Sequence, residues 1–268
     1  MSPVLLKFLI RRHRFSCLLL GILPLFIGIV IGFLYPTYSK ERGLLKVLKY
    51  STRFFGGEQL DIFSPDGAFS MPFQHPLVMI GYAVLPAIAA LGIPAGDRGN
   101  KGLDLILATP LSRGVLCRTV WFFQVLASIY MTFMALSAAN ISALMSDEFA
   151  GINHLGFFAI ALVSFSLMSA FGAFSMIISV LARDRGQASL IYGISVTVFF
   201  LTDVTARMWK DGAWLTWLTP YGYLRPARVL SAEAPFSSDM IRDLAILLTV
   251  GIAGQFYAAH LHRKRRSA

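Results

Sequence analysis

Charge and cysteine are both scarce in this sequence. Only 14% of its 268 residues are charged and 56% are hydrophobic, at a mean hydropathy of +0.65. Soluble domains carry about 25% charged residues, so a soluble globular chain is excluded. Two cysteines, Cys17 and Cys117, are too few for a disulfide framework and read as free thiols in a reducing compartment. The chain lacks G-x-x-x-x-G-K-[ST]. Gly96, Gly99 and Gly102 around Lys101 have the wrong spacing and follow no strand, so a P-loop of its own is not expected. H-E-x-x-H, paired cysteines and G-x-S-x-G are missing as well. The histidines His13, His75, His154, His260 and His262 are scattered. His260 and His262, two apart, point to different sides of a helix, which favours interfacial histidines over a metal site. No cofactor is expected in this chain. The net charge of +10 does not indicate nucleic acid, because Lys and Arg flank apolar runs as topological anchors instead of forming a basic face.

The apolar residues are blocked into runs long enough for membrane-spanning helices, whereas a transmembrane barrel would show weak alternation. The expected fold is an all-α integral membrane protein, a single domain over 1–268, with spans at 15–35, 76–94, 115–144, 155–181, 188–206 and 241–260. Residues 1–14 read as an interfacial amphipathic helix with Val4, Leu5, Phe8 and Leu9 in the headgroups. The first span is too long, and lacks the cleavage site, for a signal peptide. Its Gly28 and Gly32 form a G-x-x-x-G face, suited to close helix approach, though glycines are also simply tolerated in membrane helices. Residues 36–75 make an outer loop: a basic first half, and a second half rich in Gly, Pro and Phe that reads as irregular. Pro86 predicts a kink in the second span unless neighbours satisfy the freed carbonyl. Gln124, Asn140 and Gln255 are the few polar residues inside spans and read as helix-to-helix hydrogen bonders more than pathway linings. Asp203 and Arg207, four apart near the end of the fifth span, read as a snorkelling or ion-paired terminus rather than a proton relay, because they sit at the edge and not the midplane. Trp214, Trp217, Tyr221 and Tyr223 fall in the range of an aromatic belt, broken by Pro220 and Pro226.

Six spans put both termini on one side. With that side inside, 14 of the 24 Lys and Arg lie inside and 10 outside, a mild positive-inside preference.

Between the second and third spans lies Gly96 to Arg113, GDRGNKGLDLILATPLSR. Asp97 and Lys101 sit at the favourable acid-before-base helical spacing. Leu103, Ile106 and Leu107 form one apolar stripe. Thr109 is a candidate N-cap, with Pro110 at the first position of the next helix. These features describe a short amphipathic surface helix; a solvated loop is the alternative.

The same residues carry a resemblance. Asp97-Arg98, then Leu103-Asp104-Leu105-Ile106-Leu107-Ala108-Thr109-Pro110-Leu111-Ser112-Arg113, is similar to the cytosolic loop of ABC-2 type transporter permeases. Leu181-Ala182-Arg183-Asp184-Arg185 resembles that family's second cytosolic turn. Leu218-Thr219-Pro220-Tyr221-Gly222-Tyr223, with Pro226-Ala227-Arg228, resembles the outer segment that re-enters the membrane before the last span. The resemblance implies a coupling helix, with Asp97, Arg98, Lys101, Leu103, Asp104, Ile106 and Leu107 contacting a separate ATP-binding subunit that holds ATP and Mg. It implies a second permease copy or paralogue, export across a bacterial cytoplasmic membrane, and both termini in the cytosol. Lys101-Gly102 replaces the Gly-Thr of many members and the acids are Asp instead of Glu; Gly102 loosens the helix by up to about 1 kcal/mol relative to Ala. Residues 36–75 match nothing in the family. Two alternatives are a permease-like subunit assisting assembly or maturation of another protein, and a membrane-embedded lipid-modifying enzyme. For the enzyme the sequence offers only isolated groups such as Asp203 and His75.

Overall fold

The computed structural model describes residues 1–39, 64–93, 95, 112–232 and 234–264. Among these there are helices and no strands. Six helical stretches are long and apolar enough to cross a membrane, which makes the chain a multi-pass membrane protein. The long helices are α1 (Pro3–Tyr38), α4 (Pro76–Gly92), α5 (Arg113–Met145), α6 (His154–Leu181), α7 (Arg185–Met208) and α9 (Ser238–Lys264). Shorter ones are α2 (Pro65–Phe69), α3 (Met71–Gln74) and α8 (Pro226–Ser231), joined by 3-10 turns at Phe149–Gly151, Lys210–Leu218 and Pro220–Tyr223.

Long-range contacts fix the directions. Ser2 N–H donates to Thr119 Oγ1 at 3.0 Å, and Gly28 and Gly32 face Ala138 and Ser142, so α1 and α5 run parallel. Ala90 at the end of α4 is bonded to Ser179 at the end of α6, so those two run parallel to each other. Helix α5 meets α6 at Gln124–Gly172 and again at Asn140–His154, so that pair runs opposite to α1 and α5. One end of the bundle, here the near end, therefore carries Ser2, Ile93, Ser112, the 182–184 turn and Lys264. The far end carries Ser39, α2, α3, Ser146 to Asn153 and the segment 209–237.

The N-terminal region departs from expectation. Residues 1–14 and 15–35 form one uninterrupted helix of 36 residues, about 54 Å at 1.5 Å per residue. Pro3 takes a first-turn position, and Ser2 Oγ accepts the Leu5 N–H at 3.4 Å. No Gly or Pro interrupts the chain between Pro3 and Gly21, so nothing permits the bend that a flat interfacial helix would need. Leu5 and Leu9 are buried against the bundle, while Val4 and Phe8 are exposed.

The G-x-x-x-G face is a packing surface. A Cβ at Gly28 would lie 2.7 Å from the Ala138 carbonyl oxygen, and one at Gly32 would lie 2.8 Å from Ser142 Cα. Ser142 Oγ donates to the Gly28 carbonyl at 2.6 Å across the same contact. Gly28→Leu and Gly32→Leu are each expected to push α1 off α5 and cost about 1–3 kcal/mol, read as a lowered unfolding midpoint in detergent. Ser142→Ala, which removes one interhelical hydrogen bond, is expected to cost only ~0.6 kcal/mol.

The stretch expected to be irregular is helical where it is described. Ser64 Oγ caps α2 by accepting the Gly67 N–H at 3.1 Å, and α3 follows directly. Phe69 and Phe73 are fully buried, Phe69 against Tyr35 and Phe73 stacked on Phe157 at 6.4 Å. Apolar burial overrides the Gly and Pro content here, because Pro65 and Pro72 both occupy first-turn positions where proline is tolerated. In α4, Pro86 withholds a donor from the preceding turn. The carbonyl this frees is that of Tyr82; next to it, Tyr192 O–H from α7 donates to the Ala83 carbonyl at 2.7 Å.

Helix α6 is the most buried of the six and forms the centre of the bundle. Gly251 and Gly254 of α9 lie against its Ser169 and Ala173, so small residues let these two helices run close.

Candidate functional site

Three groups of residues stand out, one at each end of the bundle and one between them.

At the near end, the two described flanks of 96–111 are tied to the bundle. Ser179 Oγ donates to the Ala90 carbonyl at 2.6 Å and accepts the Ala95 N–H at 3.0 Å. One buried hydroxyl of α6 therefore holds the end of α4 and the first residues beyond it. On the other flank α5 begins at Arg113, with Ser112 Oγ accepting the Val115 N–H at 3.4 Å. Ser112 is thus the cap of α5. Asp97, Arg98, Lys101, Leu103, Asp104, Ile106, Leu107 and the Thr109-Pro110 step lie outside the described residues.

The second near-end turn is Arg183-Asp184-Arg185, and all three residues are exposed. Asp184 caps α7 by accepting the Gln187 N–H at 2.9 Å, and Gln187 Oε1 accepts the Arg183 N–H at 2.7 Å. Gln187 thus reaches back one residue beyond the cap, and the two bonds close the turn with both arginine side chains outside. Among the described residues the near end carries ten Lys and Arg and one acid (Asp184); the far end carries five Lys and Arg and seven acids.

Midway, Gln124 joins four helices. Its Nε2 donates to the Pro86 carbonyl of α4 at 3.0 Å and the Gly172 carbonyl of α6 at 3.1 Å, and its Oε1 accepts from Gln255 of α9. Gln124 and Gln255 are therefore satisfied interhelical bonders, as their isolation in apolar runs suggested. Asn140 bonds locally to Leu136 and to His154 across the far-end turn.

No family model matches the sequence, and neither a characterised protein nor a solved structure matches it.

At the far end, the segment after α7 folds back into the helices. Thr219 Oγ1 donates to the Phe199 carbonyl, nine residues before the end of α7, at 3.0 Å. Tyr221 is fully buried between Phe171 and Phe200, at ring distances of 4.9 and 6.0 Å, and its hydroxyl reaches the Met79 carbonyl at 3.1 Å. Tyr221 is thus a core residue and not a member of an aromatic belt. Trp214 and Trp217 are exposed, and Tyr223 is half-buried edge-on to Trp217. Pro220 and Pro226 each open a short helical turn, and Arg228 is exposed.

Beside Tyr221 sits a buried charge cluster. Arg207 Nε meets Asp203 Oδ2 at 2.8 Å, and a second nitrogen reaches the Leu224 carbonyl at 3.4 Å. The ion pair is as expected, but Asp203 is only 1% exposed, so it belongs to the protein interior and not to a surface edge. Arg225 donates to the Gly222 carbonyl at 2.6 Å. Burial and the nearby Arg228 and Arg207 charges push its pKa below the ordinary arginine value, while Asp203 and Asp243 oppose that shift. Sequence reasoning passed over Ser179 and Tyr192. Ser175 and Ser179 stand i, i+4 on α6, but Ser164, Ser166 and Ser169 lie on the same helix, so nothing in the sequence singles Ser179 out. Among the described residues no three His, Cys, Asp or Glu side chains gather as a metal site.

Proposed function

We propose that this chain is the membrane-spanning permease subunit of an ATP-driven exporter resembling ABC-2 type permeases. In this reading a separate ATP-binding subunit docks on the 96–113 segment and holds ATP and Mg. A second permease copy, or a paralogue, completes the assembly. The observation that carries the reading is the tethering of that segment's flanks. Ser179 joins the residue that leads into it to both α4 and α6, and Ser112 starts α5 directly behind it. A displacement imposed on the segment by a partner would therefore act on three spans at once. Nucleotide binding at the partner then biases one two-state arrangement of the bundle.

The excess of Lys and Arg at the near end supports placing that end, with both termini, in the cytosol of a bacterial cell, across its cytoplasmic membrane. Arg183, Asp184 and Arg185 form a second exposed turn on the same face, available to the same partner. At the opposite end the burial of Thr219 and Tyr221 among α4, α6 and α7 supports a re-entrant outer segment.

Affinity capture of the full chain from membranes tests the reading. An ATP-binding subunit is expected to copurify. Asp104→Lys is expected to lower ATP-driven transport in vesicles at least about fivefold while the partner's ATP hydrolysis continues. Unchanged transport by that variant removes Asp104 from the contact. A copurifying ATPase with no nucleotide-dependent transport would instead favour a subunit that assists assembly of another protein.

A further inference from the structure

Beneath the near end, α5 and α9 diverge and leave a cavity of about 380 Å³. Arg118 and Trp121 line it from α5; Gln255, Phe256, Ala259 and Arg263 line it from α9. The residues are ordered by depth. Arg263 and Arg118 stand at the near end, and both are exposed. Trp121 and Phe256, with ring centres 6.3 Å apart, and Ala259 form the walls. Gln255, whose amide nitrogen is already committed to Gln124, closes the floor. Gln255 and Arg263 are eight residues apart, about 12 Å along the helix axis.

Arg118 is braced by the Gly114 carbonyl, which its Nε reaches at 3.2 Å, and neither arginine has an acidic partner among the described residues. Two guanidinium groups at one mouth, neither with an acidic partner among the described residues, suit a shared anion. Phosphate oxygens suit the planar donor forks of arginine. The walls below are apolar and aromatic, which a small hydrated anion would leave unused. Phe256 is 66% exposed on the outside of the bundle, so the cavity opens sideways toward where bilayer lipid would lie.

We propose that this cavity binds one anionic phospholipid. Its headgroup phosphate bridges Arg118 and Arg263, and the first part of its acyl chains lies along Trp121 and Phe256. The proposal requires only a multi-pass membrane chain and is independent of what drives the protein. A bound lipid here would join α5 to α9 where the two helices otherwise part.

The test uses the full chain purified in detergent and exposed to phosphatidylglycerol or phosphatidylcholine, with retained lipid measured by native mass spectrometry. One phosphatidylglycerol per chain is expected to be retained, with a preference over phosphatidylcholine of about tenfold or more. Arg118→Gln with Arg263→Gln is expected to abolish that preference. Arg11→Gln, a near-end charge on α1 outside the cavity, is expected to leave it intact and so separates the site from general attraction to the basic end. Both cavity arginines are exposed, so their replacement leaves the fold in place.

A second readout uses fluorescence. Of the four tryptophans, only Trp121 lies toward the near end, Trp209, Trp214 and Trp217 all being at the far end. The emission lost in Trp121→Phe is expected to be quenched more by acyl-brominated phosphatidylglycerol than by brominated phosphatidylcholine. Equal retention of the two lipids, or a preference unchanged in the double arginine variant, overturns the proposal. So does displacement of the lipid by millimolar inorganic phosphate, which would mark a simple anion site.

Discussion

Arg207→Ala is expected to destabilise the protein by about 3–5 kcal/mol, the range for removing one partner of a buried ion pair. Asp203 is almost wholly buried and meets Arg207 at 2.8 Å, while its other carboxylate oxygen has no hydrogen bond. Without Arg207 the carboxylate would remain in a low-dielectric site with no direct partner. Arg225 lies close enough to feel the Asp203 charge but makes no ion pair with it in the structure, its Nε donating to the Gly222 carbonyl. The loss would also free the Leu224 carbonyl, which Arg207 links to α7. Replacing both charges, as in Asp203→Leu with Arg207→Met, is expected to recover most of the stability, since well-packed apolar pairs often equal buried ion pairs. A double-mutant cycle on the unfolding midpoint in detergent measures this. A cost below ~1 kcal/mol for Arg207→Ala would show that the pair behaves as a solvated one.

The sequence made the membrane class and the six spans legible because both depend on composition over windows of about twenty residues. Contacts with named partners were visible only where a residue type has few alternatives. Gly28 and Gly32 marked a candidate close-approach face, and the structure decides for it, because a Cβ at either position would lie 2.7–2.8 Å from backbone atoms of α5. Gln124 and Gln255 declared a hydrogen-bonded junction because an amide in an apolar run needs a partner. Tyr221 gave no such signal. Tyrosine suits an interface as well as a core, and only the fold-back of 219–223 decides between them. The division of α1 failed for a related reason. A cluster of Arg and Lys marks where charge lies but does not break a helix, and the chain there holds no residue that would. Residues 65–74 were misread because Gly, Pro and Phe describe both irregular loops and short capped helices. The difference lies in whether Phe69 and Phe73 find a surface to cover. The near-end tether was illegible because Ser179 acts through the carbonyl of Ala90 and the N–H of Ala95, backbone groups that every residue carries.

Gly222→Ala is expected to be nearly as damaging as loss of the ion pair, at about 3 kcal/mol, the upper end of the cost of overpacking. A Cβ at this position would overlap the Thr216 carbonyl oxygen, and the obstructing atoms are backbone, which cannot rotate aside. The 3-10 turn Pro220–Tyr223 would have to move, and it carries Tyr221 with it. Tyr221 would then withdraw from Phe171 and Phe200 and release the Met79 carbonyl, so one added methyl would be felt in α4, α6 and α7 together. Two comparisons isolate this cause. Tyr221→Phe removes the hydroxyl alone and is expected to cost about 1 kcal/mol, the value of one hydrogen bond. Gly193→Ala, on α7 with open space around its Cβ position, is expected to be neutral or stabilising by up to ~1 kcal/mol through helix propensity. Unfolding midpoints in detergent rank the three. Gly222→Ala falling with Gly193→Ala, and not below Tyr221→Phe, would mean that the turn yields without moving Tyr221, and the far-end segment would then be a loosely attached cover instead of a part of the core.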